Sequence, residues 1–135
     1  MVDASIVVKW FLPEVLAAAA LRIAETDNDF LAPELLAAEF ASALWKKQRR
    51  GEIDAPAAAR MLTDFSRVSV DFVPLVPLMP TAFAIATAAG HSVYDGWYLA
   101  LAEREDCPVV TADRRFYGAF SAGQLGHRML WVEAF

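Results

Sequence analysis

Short apolar runs alternate along this chain with longer stretches of helical character. The runs "MVDA", "DFLA", "FVPLV", "PVVTA" and "MLWVEAF" predict strands. Helices are expected through "SIVVKWF", from Pro13 to Thr26, across the segment around Glu39, from Asp54 to about Val68, from Pro80 to Gly90, and from Ser92 to Asp106. Such alternation predicts an α/β fold, a three-layer α/β/α sandwich whose central parallel sheet of about four to five strands carries helices on both faces.

The helix around Glu39 has well-marked ends. Pro33 suits its first turn and Glu34 complements the positive end of the helix dipole. Lys46, Lys47, Arg49 and Arg50 complement the negative end before Gly51 stops it. Between Glu34 and Lys46 every side chain is apolar or small except Glu39. Its helical neighbours are Leu35, Leu36, Ser42 and Ala43, none of them cationic. A buried, unpaired carboxylate costs several kcal/mol or takes up a proton. Taken by itself, Glu39 reads as a side chain snorkelling to a solvent edge.

Composition narrows the class. The 135 residues suffice for one domain, expected to span residues 1–135, and 57% hydrophobic against 21% charged residues excludes disorder. A mean hydropathy of +0.34 calls for either a membrane segment or apolar surface that a partner covers. The uncharged stretch Phe72–Gly90 approaches spanning length, but Pro74, Pro77 and Pro80 would break a continuous helix there. No basic stretch precedes an apolar run at the N-terminus, so no signal peptide is expected. These features predict a cytoplasmic protein with a sticky surface and no membrane association. Cys107 is the only cysteine, which rules out a disulfide framework and a thiolate metal cage. A net charge of −5 argues against nucleic-acid binding, unless several of the acids hold a cation.

Three more acids share the oddity of Glu39. Asp3 follows the first strand, Asp113 follows "PVVTA", and Asp95 lies in the first turn of "SVYDGWYLALAERE". Ligands of open α/β sheets gather beyond the carboxyl ends of the strands. Each acid also has a local explanation. Asp95 completes a Ser92-x-x-Asp95 capping box, Asp113 can cap a helix at "RRFYGAF", and Asp3 can belong to a turn with Ser5 as the helix cap. Jointly, four uncompensated acids on apolar elements call for a common cause, and a hard divalent cation such as Mg²⁺ supplies one.

The segments "VDASIVVKWFLPE", "PELLAAEFASAL", "SVYDGWYLALAE" and "VVTADRRF" span nearly the whole chain. In order and spacing the sequence resembles the PIN-domain ribonucleases, and within them the VapC-like toxins of bacterial toxin–antitoxin pairs. The resemblance implies that Asp3, Glu39, Asp95 and Asp113 form the catalytic acidic quartet, with Ser5 and Thr111 as supporting hydroxyls. It implies hydrolysis of RNA phosphodiesters to 5′-phosphate and 3′-hydroxyl ends with Mg²⁺, or Mn²⁺ in its place. Asp3 and Asp95 are the expected direct metal ligands. Glu39 and Asp113 are expected to bind a second ion or hold metal-bound waters. Arg114 and Arg115 follow Asp113 at once and are candidates for RNA contact. The expected partners are a small cognate antitoxin protein and a second copy of the chain, a homodimer, with Trp45, Phe40 and Trp10 as candidate contacts.

Two positions depart from the family pattern. Gly96 stands where alanine is frequent, which should loosen that helix start by under about 1 kcal/mol. Only two residues precede Asp3, so the first strand must be very short. Rival phosphoryl-transfer folds fail on their motifs: "DAS" is not the D-x-D of haloacid-dehalogenase-like phosphatases, and no aspartate follows "FVPLV" as a receiver needs. His91 and His127 are expected to be solvated, so no serine–histidine–aspartate arrangement competes. A PIN-fold RNA-processing nuclease outside a toxin pair and a non-catalytic PIN scaffold are the alternatives.

Overall fold

The computed structural model describes residues 1–135. Seven α-helices and four short strands alternate in the predicted α/β manner. Strand β1 (Phe30–Pro33) pairs in parallel with β2 (Val70–Val73), and β3 (Val109–Thr111) pairs in parallel with β4 (Met129–Trp131). The first three residues join these two pairs. Val2 bridges Val110 in parallel and donates its N–H to Leu31 O at 3.2 Å. Val110 N–H donates to Met1 O, and Asp3 N–H to Val110 O. The spatial order is therefore β2–β1–residues 1–3–β3–β4. The chain winds outward in one direction to β2 and in the other to β4, so the order reverses beside Val2. The carboxyl end of that reversal point is where an open α/β sheet offers a crevice. The expected first strand is too short to register as more than a bridge.

Helix α1 (Ala4–Phe11) leaves this segment directly at Asp3. The expected helix from Pro13 forms only as α2 (Ala17–Ala24), because Leu16 turns the backbone left-handed at φ 70°. Helix α3 (Leu35–Arg49) buries Leu36, Phe40 and Leu44, a stripe at four-residue spacing, and leaves Glu39 at its edge. Phe40 stacks on Phe65 at 4.4 Å and meets Phe11 edge-on at 5.0 Å. It is core and not a partner contact. Trp10 is also engaged, donating its indole N–H to Ala20 O at 2.9 Å and packing on Phe30. Of the three aromatic contacts expected from sequence, only Trp45 is largely exposed, at 55%.

Helix α4 (Ala55–Phe65) ends earlier than its pattern suggested. Strand β2 begins before Phe72 and stops at Pro74, which has no N–H for the ladder. A 3₁₀ turn at Val76–Leu78 then leads into α5 (Met79–Ala89), which Gly90 ends in the left-handed region at φ 62°. "MLWVEAF" is strand only through Trp131, where a 3₁₀ turn takes over. Helix α6 (Val93–Arg104) packs tightly on α5. A Cβ on Gly96 would lie 2.4 Å from the Ala82 carbonyl oxygen, so only glycine admits this approach. Gly96 thus closes the packing that sequence reading expected it to loosen. No helix is long and apolar enough to cross a membrane.

Candidate active site

Asp3 caps α1. Its Oδ1 accepts from Ile6 N–H at 3.1 Å and from Ser5 Oγ at 2.6 Å. Its Oδ2 accepts from Thr111 Oγ1 at 2.5 Å. Ser5 is therefore not the cap; it bridges elements, accepting from Ala112 N–H at 2.8 Å. Thr111 Oγ1 in turn accepts from Asp113 N–H. These two hydroxyls tie the start of α1 to the end of β3. Burial of Asp3 pushes its carboxyl up to about 6, although the bonds from Ser5, Thr111 and Ile6 pull the other way.

Asp113 caps α7 (Arg114–Phe120), with Oδ1 accepting from Arg115 N–H at 2.7 Å and Phe116 N–H at 3.2 Å. The capping role is real and leaves Oδ2 without a hydrogen bond in the chain. Asp95 behaves differently from its local explanation. Ser92 Oγ accepts from Tyr94 N–H, and no bond from Asp95 returns to the Ser92 backbone, so there is no capping box. Asp95 Oδ2 instead lies 2.8 Å from His91 Nδ1. That approach is not aligned as a hydrogen bond. Burial raises the Asp95 carboxyl, the His91 charge lowers it, and the Asp113 charge raises it again.

The glutamate in the apolar helix has a partner from another element. Tyr98 of α6, only 2% exposed, donates its hydroxyl to Glu39 Oε2 at 2.7 Å. Burial pushes the Glu39 carboxyl up to about 7; the Tyr98 bond opposes this, and the charges of Asp3, Asp95 and Asp113 add to it. Burial, with the charges of Glu39 and Asp3, holds the Tyr98 hydroxyl well above its usual range, so it stays a donor. Glu39 does not snorkel into water. It faces Asp95 and Asp113 across a pocket of about 580 Å³.

That pocket is lined by Glu39, Asp95, Asp113, His91, Lys46 and Arg115 among others, while Asp3 sits behind its wall at 4% exposure. Of the two arginines expected near the site, Arg115 lines it and Arg114 turns away, its guanidinium 5.4 Å over the Trp131 ring. Sequence reasoning missed three residues. His91 is half-buried and edge-on to Phe120 at 5.5 Å, not solvated. Tyr98 reads as core within an apolar helix, and only the need of Glu39 for a donor pointed to it. Lys46 was absorbed by its role at the helix end.

No group of three or more His, Cys, Asp or Glu side chains forms a ready-made metal cage. Glu39, Asp95 and Asp113 line one pocket and offer oxygen ligands of the kind a Mg²⁺ ion takes. Its ligands are oxygens, and it binds through one or two carboxylates while keeping several waters, so it needs no closed cage. Burial raises the Asp3, Glu39 and Asp95 carboxyls first, and the charges of neighbouring acids add to each shift.

A family model described as PIN domain matches residues 1–119. The chain is 32% identical over 126 residues to Ribonuclease VapC3 of Pyrobaculum aerophilum, covering 90% of this chain and 95% of that protein. It is 37% identical over 83 residues to Ribonuclease VapC9 of Mycobacterium tuberculosis, covering 62% of this chain and 64% of the relative. The crystal structure of PAE2754 from Pyrobaculum aerophilum is similar with a TM-score of 0.71 and 27% identity, over 98% of this chain and 87% of that one.

Proposed function

Because this chain belongs to the PIN domain family, we propose that it is a Mg²⁺-dependent endoribonuclease, the toxin of a toxin–antitoxin pair. The observation that carries the reading is the convergence of Glu39, Asp95 and Asp113 on one pocket, where Glu39 has only the neutral Tyr98 hydroxyl as a partner. A scaffold gains nothing from four mutually repelling acids, whereas a phosphodiesterase needs them.

Asp3 and Asp95 would hold the ion directly, with Glu39 and Asp113 beside them holding a second ion or ordered waters. When bound, a divalent cation supplies charge against the phosphodiester and lowers the pKa of water. The chain's own groups do the rest. Ser5, Thr111 and the Ile6 N–H fix the Asp3 carboxylate so that it needs no reorganisation during the reaction. Tyr98 fixes one oxygen of Glu39, a residue that lines the pocket. Arg115 and Lys46 on the pocket wall supply positive charge to the RNA backbone. Water attacks phosphorus, the bond to O3′ breaks, and the proton lost by water balances the one gained at O3′.

The exposed apolar residues Val76, Met79 and Phe83 at the start of α5 suit a protein partner, either the antitoxin or a second copy of the chain. Purified protein should cleave total cellular RNA with Mg²⁺ or Mn²⁺ and stop with chelator. Asp3→Asn and Asp95→Asn should each abolish cleavage, and mapped 5′ ends should carry phosphate. Chelator-resistant cleavage by a clean preparation removes the metal-nuclease reading. Harmless expression without any partner counts against the toxin reading.

A further inference from the structure

Six of the twelve Lys and Arg residues make no ion pair: Arg22, Lys46, Arg49, Arg60, Arg114 and Arg115. In a chain of net charge −5, where free cations gather decides where a polyanion can rest. Lys47, at the same helix end, is held by Glu14 at 2.9 Å and Glu52 at 2.6 Å. Lys46 and Arg49 sit in the same last turn, complement the helix dipole, and have no carboxylate partner.

Lys46 lines three adjoining concavities. The first is the acidic pocket. The second is an apolar groove with Leu35, Ala38, Ala43 and Tyr94. The third is a recess formed with Trp45, Arg49 and Arg50. One helix therefore carries a continuous path. Lys46 lies two turns from Glu39, about 10 Å along the axis, and Arg49 one turn further. In the recess the Arg49 guanidinium sits 4.7 Å over the Trp45 ring. That contact covers the indole from one side, while Trp45 as a residue remains 55% exposed.

We propose that the C-terminal end of α3 is a binding subsite for single-stranded RNA beside the cleavage site. One base stacks on the open face of Trp45, and the adjoining phosphates contact Arg49 and Lys46. An indole platform flanked by free cations is the arrangement that takes an unstacked base and its backbone, and a duplex cannot present a base to it. The inference rests on the ribonuclease reading and names the side chains that hold the RNA beside the acids.

Fluorescence anisotropy with a short labelled oligouridylate and Mg²⁺ tests it, on an Asp95→Asn background that holds the RNA intact. Trp45→Ala should weaken binding about tenfold, and Trp45→Phe should keep most of it. Arg49→Glu should weaken binding and flatten its salt dependence, which Trp45→Ala should leave unchanged. Arg22→Glu, an equal charge reversal on α2, should match its parent. Circular dichroism melts confirm that each variant is folded. If the parent binds and Trp45→Ala and Arg49→Glu bind within twofold of it, the subsite is wrong. A change of oligomeric state in Trp45→Ala with unaltered RNA affinity overturns it too, and assigns the surface to protein. No binding by the parent, while the unmodified chain cleaves total RNA, overturns the subsite alone. No cleavage by the unmodified chain removes the ribonuclease reading, and the subsite with it.

Discussion

Tyr98 of α6 donates its hydroxyl to Glu39 of α3 at 2.7 Å, and the two residues lie 59 positions apart in the chain. This bond answers the puzzle of a carboxylate in an apolar helix. The acid is oriented from outside its own element, and it is paired with a neutral donor that leaves its charge uncompensated.

Removing that donor should change the chemistry more than the fold. The Tyr98 bond favours ionised Glu39, so Tyr98→Phe raises the proton affinity of the acid further. Stability should fall by about 1 kcal/mol. Cleavage at pH 7 should fall roughly tenfold, and the deficit should shrink as pH rises. A pH–rate profile parallel to that of the unmodified protein would contradict this role.

The raised carboxyls also set a pH dependence of stability in chelator. Asp3 rises from 3.8 to about 6 and Glu39 from 4.5 to about 7, so the folded state binds more protons than the unfolded chain between these values. Their contribution is fully present below about pH 4 and is lost as pH rises through 6 to 7. The melting temperature without metal should increase by at least about 3 °C between pH 8 and pH 5.5. Differential scanning calorimetry checks this, and Asp3→Asn should flatten the slope. With Mg²⁺ the trend should weaken or reverse, since the ion competes with protons for the same oxygens.

Glu39→Gln separates catalytic design from accident without a substrate. The substitution removes one of four converging charges and keeps an oxygen for Tyr98. The metal-free protein should gain about 1 kcal/mol or more. It should also lose most of the stabilisation that Mg²⁺ gives the unmodified protein, about 2.7 kcal/mol at one hundred times the dissociation constant. Two melts per protein, in chelator and in Mg²⁺, decide the matter. Unchanged melts would exclude Glu39 from any metal site.

Gly96→Ala should destabilise, although alanine is the better helix former. The new methyl meets the Ala82 carbonyl oxygen at 2.4 Å, and that atom is backbone, which cannot swing aside. Overpacking of this kind costs about 1–3 kcal/mol, which outweighs the roughly 1 kcal/mol gained in helix propensity. A urea titration measures the difference. Activity should fall as well, because Asp95 adjoins the displaced turn.

The strand–helix alternation was legible because strand and helix periodicities differ and because Gly51 and Gly90 mark helix ends. Pro33, by contrast, ends a strand and not the helix turn expected of it, and Pro74 stops a strand expected to run through it. Leu16 was not legible, since nothing in its side chain signals a left-handed backbone. The four acids stood out because each interrupts or adjoins an apolar element. Their helpers were hidden for physical reasons. Tyr98 looks like any core aromatic until its hydroxyl has a partner, and His91 looks like a loop residue until Phe120 covers it. Gly96 was misread because helix propensity is a property of one helix, whereas its value here belongs to the contact between two.

The Asp3 carboxylate is completed by Thr111, 108 residues later, and its segment gains its second neighbour in the sheet only when Val110 is present. On the ribonuclease reading this is a lock on timing. A ribosome adding about 5–20 residues per second needs roughly 5 to 20 s between these two codons. Until then the chain holds its acids as separate, solvated groups, and a chain ending before Val109 should cleave no RNA. The protein is thus inert for most of its own synthesis, and an inhibitor made alongside it has those seconds in which to arrive.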